Sequence, residues 1–270
     1  MLFSVLISVY YKENPYHLIQ SLESVFDQTL LPAEVVLVKD GTLTVELDAA
    51  IDMFVNKYND KLKIITLPEN VGLGKALNEG LMHCSCELVA RMDSDDICKK
   101  DRFEKQLTIF EQNQSLSVVG SWIDEFVDTP ENIVSIRKLP EKNNELISYA
   151  KTRNPMNHPS VMFKKSDILA VGGYKHFYLL EDYYLWTRLI MEKYELYNIQ
   201  ESLLLFRTSP EMIARRGGLR YTISELKFFH KLYKLHFYGL YHFIKNIIIR
   251  LPVRIMPAKL RSYAYQKLLR

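Results

Sequence analysis

The 270-residue sequence has only three cysteines, ten glycines and ten prolines. Three cysteines cannot close a disulfide framework, and Cys84 and Cys86 lie very near each other in sequence, so the chain is predicted to occupy a reducing compartment. Glycine and proline are too rare for a collagen-like or low-complexity chain, and a hydrophobic content of 48% excludes an intrinsically disordered one. The chain is therefore globular and long enough to bury its own core.

Long apolar runs are also missing. No run of about 18 uncharged apolar residues occurs, so the sequence predicts no membrane-spanning helix. The apolar run from Leu2 to Val9 is short, rich in β-branched residues and without a charged leader, which is not the pattern of a signal peptide. These absences predict a cytosolic protein.

Acidic residues are absent from the last part of the chain. The segment from Leu226 to Arg270 has ten Lys or Arg and no Asp or Glu, and removing those ten charges from the net +3 leaves −7 on residues 1–225. An acidic body with a basic tail predicts a negatively charged partner, either nucleic acid or an anionic lipid surface.

Apolar runs and helical periodicities alternate along the first 112 residues. The predicted strands are Phe3 to Val9, Glu34 to Val38, Lys63 to Leu67 and Glu87 to Met92; the predicted helices are Pro15 to Val25, Leu47 to Tyr58, Gly74 to Cys84, and one capped by Asp101 that ends at Gln112. This alternation predicts an α/β fold with a doubly wound, mostly parallel sheet. Farther along, Val118 to Ile123 and Ser160 to Phe163 are predicted strands and Asp182 to Tyr194 a helix.

An acidic triplet, Asp93-Ser94-Asp95, follows the fourth predicted strand. Ligands of parallel α/β sheets bind beyond the carboxyl ends of the strands, and carboxylates are preferred ligands of Mg²⁺ and Mn²⁺. One interpretation is a cation site that bridges the oxygens of a diphosphate. The other is an acidic loop, in which Asp96 or Asp101 interacts with the dipole of the next helix.

A second acidic pair, Glu181-Asp182, begins an aromatic-rich helix. The pair can be explained as partners of the helix dipole. Alternatively, one carboxylate is a general base in a partly apolar setting, where lost hydration raises the pKa of a carboxyl group. The upstream Gly172-Gly173 would give an acceptor a flexible approach to this helix.

Together, these segments resemble the family 2 glycosyltransferases, which have the glycosyltransferase-A fold, over about residues 2–215. The matching segments are Val5 to Tyr10, Ser21 to Thr29, Val38 to Gly41, Asn70 to Asn78, Ala90 to Asp96 and Glu181 to Trp186. The chain is similar in particular to the bacterial branch that builds O-antigen and exopolysaccharide repeat units, in which the segments Asn157 to Phe163 and Gly172 to Tyr174 recur.

The resemblance implies a UDP-sugar site at the strand ends. Tyr10 would pack on the base, Asp40 would accept a hydrogen bond from the uracil imide, and Lys75 would neutralise a phosphate. Asp93 would contact the ribose or the ion, and Asp95 would be the principal ligand of Mn²⁺ or Mg²⁺. The other residues implied at this site are Ser8, Val9, Asn70, Asn78, Arg91 and Ser94. Lys39 stands where the family commonly has a second acid.

On the acceptor side, the resemblance implies that Asp182 takes the proton of the acceptor hydroxyl with Glu181 as its helper. His158 and Trp186 would line this side, although His158 can equally be a hydrogen-bonded histidine before a proline turn. A single base opposite the leaving group implies inversion at the anomeric carbon. The expected reaction moves galactose or glucose to a saccharide on undecaprenyl diphosphate, with a β1,3 bond favoured.

Residues 1–215 are accordingly predicted to form the catalytic domain, with a donor half at 1–112 and an acceptor half at 113–215, and residues 216–270 a basic, amphipathic helical extension. Basic residues interleave there with aromatic ones such as Phe228 and Phe229, a pattern typical of helices in a membrane interface, although these helices can also pack on the domain. Pro252 and Pro257 are expected to interrupt the segment that follows Ile249. We expect peripheral attachment to the cytoplasmic face of the bacterial inner membrane and no nucleic-acid partner, because no recognition motif occurs.

Two other functions remain open at this point. The first is a nucleotide- or carbohydrate-binding module without catalysis, in which Asp182 would be dispensable. The second is a nucleotidyltransferase, which would need a glycine-rich phosphate loop after the first strand, and Ser8 to Asn14 contains no glycine. The stretch Gly72-Leu73-Gly74-Lys75 matches neither the P-loop spacing nor a dinucleotide fingerprint.

Overall fold

The computed structural model describes residues 1–209 and 218–256. The strands of this part of the chain are β1 (Phe3–Val9), β2 (Glu34–Lys39), β3 (Leu62–Thr66), β4 (Leu88–Asp93), β5 (Ile97–Cys98), β6 (Leu116–Phe126), β7 (Ile133–Arg137), β8 (Met162–Lys164) and β9 (Glu195–Arg207). The helices are α1 (Pro15–Phe26), α2 (Val45–Tyr58), α3 (Leu73–His83), α4 (Arg102–Gln112), α5 (Asn143–Ala150), α6 (Lys165–Ala170), α7 (Glu181–Met191), α8 (Gly218–Lys234) and α9 (Leu240–Ile255).

The strands form a single mixed sheet in the order β3-β2-β1-β4-β8-β6-β9-β5, with β7 paired to β6. Strands β1 to β4 are mutually parallel, as predicted from their alternation with helices. Strand β8 runs antiparallel to both β4 and β6, whereas β6 and the long β9 are parallel. The predicted α/β class with a mostly parallel sheet is confirmed. The antiparallel strands in the second half of the sheet were not predicted from the sequence.

The sheet has an apolar core on each face because the side chains of its buried strands alternate between them. In β1, Val5 and Ile7 pack with α1, α2 and α4, whereas Leu6 packs on the other side with α3, α5, α6 and α7. Helix α3 approaches the sheet closely at Gly80, where an added Cβ would lie 2.4 Å from the Cδ1 of Leu6. This close contact holds α3 against β1 and β2, since the same Cβ would lie 2.5 Å from the Cγ2 of Val38.

Two helix starts illustrate how well local sequence predicts local structure. Asn14 caps α1 as its side-chain oxygen accepts a hydrogen bond from the Tyr16 N–H at 2.9 Å, and Pro15 occupies the first helical position. Asp101 does precede α4, but its side chain makes no capping hydrogen bond and instead pairs with Lys105 at 2.6 Å. The predicted N-cap position of Asp101 is confirmed, but the capping hydrogen bond is absent because the carboxylate pairs with the lysine one turn away.

Helices α8 and α9 form a hairpin that packs on α7. The ring of Phe228 in α8 lies 4.7 Å from that of Tyr183 in α7, and Phe229 is also buried. The expected membrane-facing aromatics of α8 therefore face the protein. Pro252 lies inside α9 and does not end it. The predicted boundary between residues 215 and 216 lies outside the described residues.

Candidate active site

Three strands end side by side at one edge of the sheet. In the registers of β1 with its two neighbours, Ser8 is opposite both Val38 and Asp93. The carbonyl of Val9 accepts a hydrogen bond from the N–H of Asp40 at 2.8 Å, which ties the ends of β1 and β2 together. Tyr10, half-buried, follows directly. The structure thus brings the sequence-predicted residues of β1, β2 and β4 to one place.

Asp40 anchors the loop that leads into α3. Its buried carboxylate accepts hydrogen bonds from the N–H of Val71 at 2.7 Å, the N–H of Gly72 at 3.1 Å and the side-chain amide of Asn70 at 3.1 Å. A side chain at Gly41 would collide with this loop, since an added Cβ would lie 2.7 Å from the backbone nitrogen of Asn70. Asp40 and Asn70 therefore position the loop, and their predicted contacts with a nucleotide stay predictions.

The turn after β4 concentrates acidic groups. One oxygen from each of Asp93, Asp95 and Asp96 lies within 4.8 Å of the other two. Burial, the Asp93 carboxylate and the Glu13 carboxylate raise the pKa of Asp95 to about 7. Burial, then the Asp95 and Asp93 carboxylates, raise the pKa of Asp96 well above its usual value. Buried carboxylates this close repel one another unless a proton or a cation lies between them.

This donor set fits a divalent cation. Oxygen ligands from closely spaced carboxylates are those that Mg²⁺ and Mn²⁺ prefer. One oxygen of Asp96, Oδ2, is buried and has no hydrogen-bond partner among the described residues. The side chain of Ser94 is used elsewhere: its hydroxyl donates to Glu13 at 2.6 Å and so draws a further acid toward the turn. Glu13 was not identified from the sequence.

Two arginines hold this acidic turn. Arg91 is buried in β4, and its guanidinium pairs with the Asp93 carboxylate. Arg207, at the end of β9, donates through its backbone N–H to Asp96 at 2.9 Å and through its Nε to the carbonyl of Asp95 at 2.9 Å. Another of its nitrogens donates to Gln20 of α1 at 2.7 Å. Arg207 therefore positions the turn against α1, and sequence analysis missed it because it belongs to an unpredicted strand.

On the other side of the cleft, Glu181 and Asp182 form the first turn of α7. Asp182 Oδ2 accepts a hydrogen bond from the side-chain amide of Asn154 at 2.6 Å. Burial raises the pKa of Glu181 to about 7, with a smaller contribution from the Asp182 carboxylate. The effect of burial that was expected for this pair is therefore found at Glu181. Asp182 is positioned by the neutral amide of Asn154, which sequence analysis did not identify.

Tyr174 lies beside the starts of α3 and α7. Its buried hydroxyl is hydrogen-bonded to His158 Nε2 at 2.9 Å. Burial raises the pKa of Tyr174, and the Asp182 and Asp93 carboxylates add to this effect. A Cβ added at Gly74, at the start of α3, would lie 3.4 Å from both Tyr174 and Glu181. Because Asp40 ties the ends of the strands to the loop before α3, the strand ends and the starts of α3 and α7 lie along one cleft.

The backbone around Tyr174 is held from two sides. Asn78 accepts from the Tyr174 N–H at 2.7 Å and donates to its carbonyl at 2.8 Å. Arg188 of α7 donates to the carbonyl of Gly173 at 2.5 Å. The turn at Gly172 and Gly173 is thus fixed by side chains, contrary to the flexible approach that was expected. Asn78 is a positioning residue in this structure, and its predicted contact with the donor stays a prediction.

Two residues predicted for the acceptor side occupy different positions. Burial and the nearby Arg91 guanidinium lower the pKa of His158 well below its usual value, so its ring is neutral near pH 7. Trp186 is fully buried behind it, with ring centroids 6.0 Å apart. The predicted direct contact of Trp186 with an acceptor is therefore corrected: its indole packs against His158 instead.

Lys75 lies at the outer side of α3. It lines a shallow groove together with Glu79 of the same helix and Leu169 and Gly172 of the facing segment. The groove begins one residue from Gly74, next to the cleft. The predicted contact between Lys75 and a phosphate stays a prediction.

The comparisons with known proteins agree with this architecture. The family model described as "Glycosyl transferase family 2" matches residues 4–169. The chain is 41% identical to a UDP-Gal:alpha-D-GlcNAc-diphosphoundecaprenol beta-1,3-galactosyltransferase of Escherichia coli, over 99% of this chain and 96% of that protein. It is 37% identical to the amylovoran biosynthesis glycosyltransferase AmsE of Erwinia amylovora, over 98% of each. The chain belongs to glycosyl transferase family 2.

Solved structures show the same fold. TarS from S. aureus in complex with UDP-GlcNAc superposes with a TM-score of 0.67 at 17% identity, over 100% of this chain and 76% of that chain. The mannosyltransferase PcManGT from Pyrobaculum calidifontis, in complex with GDP-Man and Mn²⁺, superposes with a TM-score of 0.65 at 18% identity, over 99% of this chain and 80% of that one. At these identities, the likeness concerns the fold alone.

Proposed function

We propose that the chain is an inverting, metal-dependent glycosyltransferase that moves galactose or glucose from a UDP-sugar to a hydroxyl group of a lipid-diphosphate-linked saccharide. The observation that carries this proposal is the shared cleft. Asp93 ends β4 opposite Ser8 of β1, and Asp40 at the end of β2 holds the loop before α3. Gly74, at the start of α3, lies against Glu181 of α7. A group that departs on one side and a hydroxyl that attacks from the other fit such a cleft.

On the donor side, Asp95 and Asp93 would hold Mn²⁺ or Mg²⁺, with Asp96 behind them. A divalent cation bound there would neutralise the charge that develops on the departing diphosphate. Ser8, Val9 and Tyr10 would receive the base at the end of β1, and Lys75 would approach a phosphate from α3. The arginines keep the acidic turn in place: Arg91 pairs with Asp93, and Arg207 holds the backbone of Asp95.

On the acceptor side, Asp182 would remove the proton of the attacking hydroxyl. The new bond joins the acceptor oxygen to the anomeric carbon as the bond from that carbon to the diphosphate oxygen breaks, and UDP leaves with the electron pair. One displacement inverts the anomeric centre, so an α-linked donor gives a β-linked product. Glu181 would hold the acceptor, and the Tyr174–His158 pair would line its path.

The acceptor and the linkage are supported by the relative from Escherichia coli, whose name specifies a GlcNAc-diphosphoundecaprenol acceptor and a β1,3 bond. Because the 41% identity extends over nearly the whole of both chains, we expect this chain to use a related acceptor. Among the described helices, none has the length and apolar character that crossing a membrane requires. Because that relative's acceptor is linked to a lipid, we propose that the reaction takes place at the cytoplasmic face of the membrane, with the protein attached peripherally.

The test is UDP release from a panel of UDP-sugars with a short-chain, diphosphate-linked GlcNAc acceptor. We expect UDP-galactose or UDP-glucose to be used, chelation to stop the reaction and Mn²⁺ to restore it. Asp182→Asn should lower turnover about 10²- to 10⁴-fold, the usual contribution of a general base. Asp167→Asn, which alters an acid in the first turn of α6, is the matched control and should have no effect. UDP release that needs neither metal nor Asp182 would contradict the proposal.

A further inference from the structure

The outer side of α9 is an apolar surface that is exposed among the residues that the structure describes. Tyr241, Ile244, Ile248 and Ile249 are exposed by 70%, 45%, 66% and 43%, respectively. Tyr241, Ile244 and Ile248, separated by three, four and seven positions, share one side of the helix. This side is turned away from the buried Asn246 and Val253, and Ile249 lies at its edge. Adjacent exposed aliphatic side chains of this size are unusual on a protein surface and indicate an interaction site.

A basic row lies beside this apolar surface. Lys227, Lys231 and Lys234 are exposed on α8 at helical spacing. The two helices meet at Phe243, whose ring is 6.1 Å from that of His230 and 5.2 Å from that of Tyr233 on α8. The lysine row and the isoleucine row are therefore on neighbouring faces of one hairpin.

The structure also separates the basic residues that face inward. Arg250 and Arg254 both pair with the buried carboxylate of Glu225, with nitrogen–oxygen distances of 2.9 Å. These two charges stabilise the hairpin and are not available to a partner. The positive charge at the surface of the tail is therefore smaller than its net charge. A partner would contact the exposed lysines.

We propose that this outer face of the α8–α9 hairpin binds an anionic phospholipid surface, with Ile244, Ile248 and Ile249 inserted between lipids and the lysine row at the headgroups. Apolar residues beside lysines fit a helix lying in a membrane interface. Residues 226–256 contain no Asp or Glu, so nothing acidic within that stretch opposes an anionic leaflet. A symmetric pair of chains would instead bring identical lysine rows toward each other.

The hairpin is connected to the acceptor side of the cleft by two routes. Phe228 packs on Tyr183 of α7, the helix that begins with the Glu181–Asp182 pair. Asn246 of α9 donates to the carbonyl of Lys151 at 2.9 Å, three residues before Asn154. If the proposed function holds, lipid binding here would set the acceptor side of the cleft at a fixed height above the membrane.

The experiment measures co-sedimentation of the full chain with vesicles of phosphatidylethanolamine and phosphatidylglycerol, and with vesicles of phosphatidylcholine alone. We expect binding to the anionic vesicles, with the affinity falling about ten-fold or more in Ile248→Glu/Ile249→Glu and in Lys227→Gln/Lys231→Gln/Lys234→Gln. The matched control, Val45→Glu/Met53→Glu, alters residues of α2 that are 81% and 61% exposed and should bind as the parent does. Circular dichroism verifies that each variant is folded.

Equal binding by the isoleucine variant and the parent would overturn the proposal, as would an equal loss in the α2 control. Light scattering tests a second copy as the occupant: a dimer that the isoleucine variant converts to monomer, with vesicle binding unchanged, would also overturn it. Turnover of the water-soluble acceptor without vesicles should be unchanged in both hairpin variants. Vesicle binding is measured without a UDP-sugar. Its outcome therefore does not depend on whether the proposed glycosyl transfer is correct.

Discussion

The two acidic groups of the cleft have opposite surroundings. Asp95 and Asp96 lie in a turn where neighbouring carboxylates and burial raise their pKa values, and an arginine lies close by. Asp182 lies at the start of a helix and accepts a hydrogen bond from the neutral amide of Asn154. We propose that a cation relieves the crowding of the first group and that Asp182, whose Oδ2 accepts from a neutral amide, takes the acceptor proton.

The first prediction tests the cation side of this comparison. Under the proposed mechanism, Asp95→Asn removes a charge that would hold the cation. The stabilisation of the leaving group, which is worth several kcal/mol, should then be lost and turnover should fall about 10²- to 10³-fold. Thermal unfolding with and without Mn²⁺ is the second measurement. We expect Mn²⁺ to raise the midpoint of the parent and of Asp182→Asn, but not that of Asp95→Asn.

The comparison would break if the two variants behaved alike. If Asp182→Asn abolished the Mn²⁺ effect as completely as Asp95→Asn, both acidic groups would belong to a single metal site. If neither variant altered it, the cation would bind elsewhere.

The second prediction concerns Glu181, whose burial raises its pKa to about 7. The native state keeps this proton up to about pH 7, whereas the unfolded chain releases it near pH 4.5, the usual glutamate value. The stability that Glu181 provides is therefore fully present below pH 4.5 and is lost as the pH rises toward and through 7. The expected loss is on the order of 3 kcal/mol, from about 1.4 kcal/mol per pKa unit.

Urea unfolding at several pH values in the presence of a chelator measures this effect. Glu181→Gln keeps the shape of the neutral side chain, so its stability should exceed that of the parent at pH 8 and approach it at pH 5. The other acids are common to both proteins, so the difference isolates Glu181. A constant difference across this range would show that burial does not govern this carboxyl group.

The acidic turn could be predicted from sequence because its parts are contiguous. Asp93, Asp95 and Asp96 follow one strand directly, and the strand is recognisable from its apolar run. The partners that position these groups are remote in sequence: Glu13 lies 81 positions from Ser94, Arg207 lies 112 from Asp95, and Asn154 lies 28 from Asp182. No local pattern connects such pairs, because only the packing of the sheet and its helices brings them together.

The same reason explains the differences in the fold. Strand β9 contains Asn198, Gln200 and Glu201, which interrupt the apolar pattern that identified β1. Its pairing with β6, which contributes most of its backbone partners, is a long-range interaction. In the tail, Glu225 lies just before the acid-free segment. The count of ten basic residues therefore includes Arg250 and Arg254, which the structure shows to be internal ion-pair partners of Glu225.

The last and smallest predicted effect tests the neutral donor on the proton-accepting side. Asn154→Ala removes the hydrogen bond to Asp182 and leaves the carboxylate free to rotate. A hydrogen bond to a charged group is worth about 1.5–3 kcal/mol, so kcat should fall about ten-fold or somewhat more. The KM for the UDP-sugar and the Mn²⁺ effect on thermal unfolding should be unchanged, because the acidic turn is untouched.

Asn56→Ala, at an exposed position of α2, is the matched control and should retain full turnover. A positioning role predicts a loss confined to kcat, whereas a donor-binding role for Asn154 would raise KM instead. The combination with Asp182→Asn decides between the two: if Asn154 acts only through Asp182, the double variant should be no slower than Asp182→Asn alone. If the fold-losses in turnover of the two single variants multiply in the double variant, Asn154 contacts the substrate directly. The cleft would then contain a substrate-binding residue that belongs neither to the cation side nor to the proton-accepting side.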